Sequence, residues 1–172
     1  MAIVIIPQID AVRADLLHKL ARFTEDQFNT APFDGSWTPG QVAEHVLLSV
    51  SGGLAVIRGA VNSTGRNPAE QVEPLRSLFL NFEIKMKGPD FVQPTDKPKD
   101  KAALTATLRH TWEEIAVFAA NHDLHLLCSQ FEMPSFGALT RLEWLWFMIF
   151  HTQRHIYQLK NMLPFFSESG NH

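Results

Sequence analysis

Apolar positions recur at helical spacing along most of this chain. Over residues 8 to about 27, Ile9, Val12, Leu16, Leu17, Leu20 and Phe23 lie three and four apart and stripe one face of a helix. A loop rich in Pro, Asp and Gly follows at 29–37. The second helix has a well-marked start. Thr38-Pro39-Gly40-Gln41 places a hydroxyl at the N-cap, a proline at the first helical position and a glutamine three residues after the cap. Val42, His45, Val46, Ser49 and Gly53 then run along neighbouring faces toward about residue 61. Ser49, Ser51, Gly52, Gly53 and Ala55 weaken this helix but let another backbone approach, so a bend or a tight crossing is expected there.

The stretch 62–99 is the least regular, broken by Pro68, Pro74, Pro89, Pro94 and Pro98, with room for a short helix at 75–86. A connection of this length in a compact domain is often a lid or a pocket wall. The third helix is expected from Asp100 through Leu104, Leu108, Trp112, Ile115, Val117 and Phe118 to about residue 121. Thr140-Arg141-Leu142-Glu143 forms a capping box that opens the fourth, and Pro164 is expected to end it. No strand pair with hairpin chemistry competes, and no internal repeat is visible. The pattern predicts an all-α fold: a four-helix bundle in one domain over 1–172, with a Pro-rich connection between the second and third helices.

Composition narrows the function classes. Hydrophobic residues at 45% and charged residues at 19% suit a packed globular core. The net charge of −3 and the lack of a basic run argue against a nucleic-acid partner. The apolar run 144–150 is far shorter than the ~20 residues that span a bilayer. Met1-Ala-Ile-Val-Ile-Ile lacks a basic segment and stops at Pro7, so no signal peptide is expected. Cys128, the single cysteine, rules out an internal disulfide, suits the cytoplasm and excludes a thiolate-rich zinc site. It reads as a structural thiol, with no base beside it in sequence. Any metal here must be held by histidine and carboxylate.

The candidate chemistry lies in His151-Thr152-Gln153-Arg154-His155, inside a strongly apolar helical stretch. Residues four apart share a helix face, so both imidazoles can reach one metal ion. Two polar rings in an apolar face need either a metal or a set of hydrogen bonds. Of the eight histidines, His18, His110, His122, His125 and His172 read as surface groups. His45 differs: it lies near the capped start of the second helix, between Gln41, Val42, Leu48 and Ser49. If the second and fourth helices are neighbours, it adds a third nitrogen. Three neutral imidazoles leave coordination positions open for water or substrate.

Three segments carry a family likeness: Trp37-Thr38-Pro39-Gly40-Gln41-Val42-Ala43-Glu44-His45, then Phe136-Gly137-Ala138-Leu139-Thr140 with Glu143-Trp144-Leu145, and Phe150-His151-Thr152-Gln153-Arg154-His155-Ile156-Tyr157-Gln158-Leu159. They resemble the DinB-like superfamily of metal-binding four-helix bundles, which includes thiol-dependent S-transferases and proteins described as metal-dependent hydrolases. The resemblance implies a divalent metal, nickel or zinc, on His45, His151 and His155, and often a homodimer. It does not imply DNA binding.

Other residues read more plainly. Gln41, Arg154 and Gln158 are candidates for orienting the ligands or are solvated polar groups. Glu44 points about 100° away from His45 around the helix and is not counted as a ligand. Trp37 reads as an anchor at the mouth of the second helix, and Glu143 as a capping residue. The stripe Trp144-Met148-His151-His155 would face a pocket. The opposite stripe, Trp146-Phe150-Tyr157, needs cover from the long loops or from a second protomer.

For function, a metal on three imidazoles activates water for amide or ester hydrolysis, or holds a thiolate for transfer to a small electrophile. No Glu lies within the H-x-x-x-H, unlike H-E-x-x-H, so a general base is missing and thiol-dependent transfer is favoured. The catalytic group is thus a metal-bound water or thiolate rather than a named side chain. The expected partners are a small-molecule substrate and a low-molecular-weight thiol, with no membrane partner. The alternatives are a hydrolase and a non-catalytic, dimeric binding module.

Overall fold

The computed structural model describes residues 2–168. Met1 and His172, which figure in the expectations above, lie outside them. Four long helices form the bundle: α1 (Ala2–Leu20), α3 (Pro39–Arg58), α5 (Lys101–Asn121) and α6 (Arg141–Glu168). Two short helices accompany them, α2 (Glu25–Phe28) and α4 (Val72–Phe79). In the bundle α1 packs on α5 and α6, α3 packs on the same two helices, and α4 lies against α6.

The caps that the sequence displays set three of the long helices. Thr38 accepts from the Gln41 backbone N–H at 3.0 Å, while the Gln41 side chain accepts from the Thr38 N–H at 2.9 Å. Asp100 caps α5 through the Ala103 N–H. Thr140 and Glu143 exchange the two bonds of a capping box at the start of α6. Met148 on α6 rises directly over Gly53 on α3: a Cβ there would lie 2.4 Å from the Met148 Sδ. The run of small residues is therefore a tight crossing, and it brings the middle of α3 against α6.

Both prolines near the chain ends lie inside helices, contrary to expectation. Helix α1 begins at Ala2 and carries Pro7 within it. Ile5 and Ile9 are fully buried and extend the apolar stripe Val12-Leu16-Leu20 upstream, which outweighs the one backbone bond that the proline lacks. Helix α1 stops at Leu20, short of residue 27, and Thr24 with Gln27 makes a separate capping box for α2. Likewise α6 continues past Pro164 to Glu168. Leu163 and Phe166 pack on the core on either side of it.

The all-α expectation is also too simple. A small antiparallel sheet has the order β1 (Val61–Asn62), β2 (Leu127–Met133), β3 (Gly137–Thr140). Val61 faces Cys128, Met133 faces Gly137, and the β2–β3 ladder shifts register between Leu127 and Glu132. Ser135 and Gly137 take positive φ values of 71° and 75°, which tighten the reversal after Pro134. Between α3 and α5 the chain is more structured than a bare Pro-rich connection: β1, α4 and a single 3-10 turn at Asp90–Val92 lie there. Helix α4 takes Pro74 in its first turn, where a missing N–H is harmless.

Among the described residues, Pro39–Arg58 alone is long and apolar enough to cross a membrane, and 56% of that stretch is buried within the fold. Tyr157 stacks on Phe82 with ring centres 4.0 Å apart, and Trp146 stacks on Phe150, which is buried. The chain itself thus covers the second stripe of α6 only in part, since Tyr157 stays 42% exposed.

Candidate metal centre

Helices α3 and α6 meet at three histidines. His45 and His151 bring their Nε2 atoms to 3.1 Å, and His155 brings its Nε2 to 3.1 Å from that of His151. All three are nearly buried, at 3%, 8% and 9% exposure. Aromatic rings surround them: Trp37 lies 5.2 Å from the His45 ring centre, while Phe147 and Phe79 flank His151.

The outer nitrogens decide the tautomers. His45 Nδ1 is 2.6 Å from the Val92 carbonyl, which can only accept, so the proton sits on Nδ1 and the Nε2 lone pair is free. His155 Nδ1 donates to Gln158 Oε1 at 2.8 Å, with the same consequence. Two lone pairs therefore face His151 Nε2. A proton on that nitrogen can satisfy one of them, and buried His151 Nδ1 has no partner among the described residues. The centre holds more acceptors than protons. A divalent cation fits this donor set, because a common point about 2.1 Å from each nitrogen is compatible with 3.1 Å separations.

The electrostatics keep the rings uncharged. Burial lowers the His45 pKa, with the Val92 bond offsetting part of the shift. His151 is driven well below its ordinary value by burial, then by His155, His45 and Arg154. His155 falls to about 3, again chiefly by burial. Neutral imidazole is the form that ligates metal, and the downward shifts favour it at all three rings.

A sequence profile of the DinB superfamily matches residues 8–159. The chain belongs to the DinB superfamily. No curated protein matches it. Among solved structures it is similar to one described as the crystal structure of TT2238, a four-helix bundle protein. The TM-score is 0.54 at 24% identity, over 94% of this chain and 99% of that one. At that identity the likeness shows the fold alone.

In this DinB-superfamily chain the histidines open into a cavity of about 1230 Å³. Its walls come from α3, α6, the loop after α4, and the β2–β3 turn. The connection 80–93 is therefore a pocket wall, and Gln93 ties it by donating to the Gly88 carbonyl at 2.8 Å. The other expected groups are placed as follows. Gln158 accepts from His155. Arg154 donates to the carbonyls of Phe79, Asn81 and Ile84 and so holds that wall to α6. Gln41 caps α3 and reaches Thr95 and Asp96 rather than the histidines. Glu44 pairs with Lys99 at 2.7 Å and accepts from the Thr95 N–H. Cys128 is buried, which pushes its thiol up to about 11 and leaves it inert at neutral pH.

One participant had no signal in the sequence. Val92 contributes only a backbone carbonyl, so no side chain marked it. Trp37, an anchor at the mouth of α3 by its place in the sequence, also lies in the cavity wall beside His45, its ring tilted 51° to the imidazole. Outside the site, Arg66 donates to both oxygens of Glu143 at 2.7 Å, across a separation that periodicity does not register.

Proposed function

We infer that this protein is a metal-dependent enzyme that transfers a small thiol to an electrophile. Its ligands would be His45, His151 and His155, and its ion nickel or zinc. The observation that carries the reading is the pairing of three converging imidazole nitrogens with a cavity whose described lining contains no Asp or Glu. A metal on three imidazoles can activate water or a thiol. A thiol lies much closer to deprotonation at neutral pH and so depends less on a general base, and no carboxylate lines this cavity to assist water. When bound, the ion supplies Lewis acidity that keeps a thiol deprotonated near neutral pH.

The chain's own residues supply the rest. Val92 and Gln158 hold the His45 and His155 rings in the ligating tautomer. Aromatic walls exclude water and hold the apolar part of the electrophile beside the centre. Arg154 keeps the wall at 80–84 closed against α6. The reading also takes the protein to be a homodimer whose subunits each carry a complete site.

Cobalt substitution tests this reading. Adding small thiols to the cobalt-loaded protein should produce sulfur-to-metal charge-transfer absorption, and His45→Ala should abolish it. Cobalt-loaded protein whose spectrum ignores every thiol, yet which hydrolyses activated esters, would replace the transferase reading with the hydrolase. Inertness in both assays would leave a binding module.

A further inference from the structure

The cavity has an electrostatic asymmetry that the three histidines do not explain. Lys85, Lys87 and Arg154 line it, and no carboxylate does. The chain as a whole has more acidic than basic residues, 18 against 15, so composition alone would not place an all-basic lining there. The acidic residues adjacent in sequence to the lining all lie outside it: Asp34, Glu83, Asp90 and Glu132 are exposed, Glu44 pairs with Lys99, and Glu143 is buried against Arg66.

None of these cations is neutralised. Lys85 and Lys87 are exposed and form no ion pair among the described residues. Arg154 is half-buried, next to His155 in sequence, and its donors go to three backbone carbonyls, which leave its charge uncompensated. The other walls are apolar and largely aromatic, with Trp37, Phe79, Phe131, Trp144 and Phe147 among them. Such walls bind an apolar body, while a basic rim favours one negative group at its edge.

We propose that the molecule this cavity takes is an organic anion. Its apolar body packs on the aromatic walls, and one carboxylate- or sulfonate-class group turns toward Lys85, Lys87 and Arg154. The proposal deepens the transferase reading, and rests on it for the reacting centre: the anionic group orients the electrophile, and the histidine cluster marks the end at which it reacts.

Metal-free protein gives the cleanest test, since a bound cation would itself attract anions. Naphthalene-1-sulfonate and the neutral naphthalene-1-sulfonamide are titrated separately, with tryptophan quenching as the readout. Each exposed charge pair contributes about two- to fivefold in affinity. The parent should therefore favour the sulfonate by about tenfold, and Lys85→Gln/Lys87→Gln should cut that preference to about twofold. The sulfonamide affinity should stay unchanged in the variant, and salt should weaken only the sulfonate. Equal affinities, no binding of the sulfonate, or an undiminished preference in the double variant would overturn the proposal. Metal uptake, measured separately, keeps the two readings apart. A parent that favours the sulfonate but takes up no metal defeats the metal reading alone. One that loads metal without the preference defeats this proposal alone.

Discussion

Replacing Arg66 by leucine should destabilise the protein by about 3 kcal/mol, although Arg66 lies outside the site. The reason is Glu143, whose side chain is fully buried at the start of α6. Its oxygens accept two bonds from Arg66 at 2.7 Å, one from the Gln71 N–H at 2.9 Å and one from the Thr140 N–H at 2.8 Å. Burial by itself would raise the carboxyl pKa. The Arg66 bonds, followed by those from Gln71 and Thr140, outweigh it and hold the group below its ordinary value. Breaking a buried pair by removing one partner costs about 3–5 kcal/mol. The Arg66 side chain is 25% exposed, so water can partly replace it and the lower end of that range applies. Glu143→Gln should cost less, about 1–2 kcal/mol, because no charge is left stranded. In a double-mutant cycle, Arg66→Leu/Glu143→Gln should recover part of the loss.

Urea unfolding measures each term, with unchanged slopes showing that the denatured state is not the cause. The pH dependence gives an independent check. In the parent, the lowered Glu143 pKa contributes stability above the unfolded value and loses it as pH falls through the folded one. In Arg66→Leu burial dominates and the pKa rises, so the gap between variant and parent should narrow as the pH falls from 7 to 4. A loss below about 1 kcal/mol at pH 7, or a gap that ignores pH, would refute the reasoning.

The metal-free protein should lose stability on acidification below about pH 6.5, since unfolded histidines take protons there while the lowered pKa values of His45, His151 and His155 keep the folded ones neutral. His155, whose pKa falls to about 3, should by itself account for a loss of about 2 kcal/mol by pH 5, with His45 and His151 acting in the same direction; thermal melts in chelator read the loss, and a flat profile from pH 7 to 5 would contradict it. Gln158→Leu removes the acceptor that fixes the His155 tautomer, and should weaken metal affinity about tenfold in competition titration while costing the metal-free protein about 1–3 kcal/mol for the unsatisfied Nδ1 donor.

How much of this was legible in the sequence follows from where each signal is written. Helix starts are local, and the caps at Thr38, Asp100 and Thr140 are read within four residues. The histidine trio was legible because two members share a helix face and the third follows a strong cap, so only the adjacency of α3 and α6 had to be supplied. The small-residue run announced that adjacency through Gly53 and its contact with Met148. Proline misled at positions 7 and 164, because its cost is fixed while the burial of Ile5 and the packing of Phe166 depend on tertiary contacts. The hairpin was missed, yet Pro134-Ser135-Phe136-Gly137 contains its turn signal, and β2 shows little alternation because it is only partly buried. The Val92 carbonyl and the Arg66–Glu143 pair are long-range contacts with no local pattern to reveal them.

Metal stoichiometry tests the central claim most directly. Untagged protein, stripped and then titrated calorimetrically with nickel or zinc, should bind about one ion per chain, and His45→Ala should weaken that binding by at least a hundredfold while retaining its helical spectrum. Parent protein that takes up no ion, or a His45→Ala variant that binds as the parent does, would show that nitrogens from α3 and α6 do not act together.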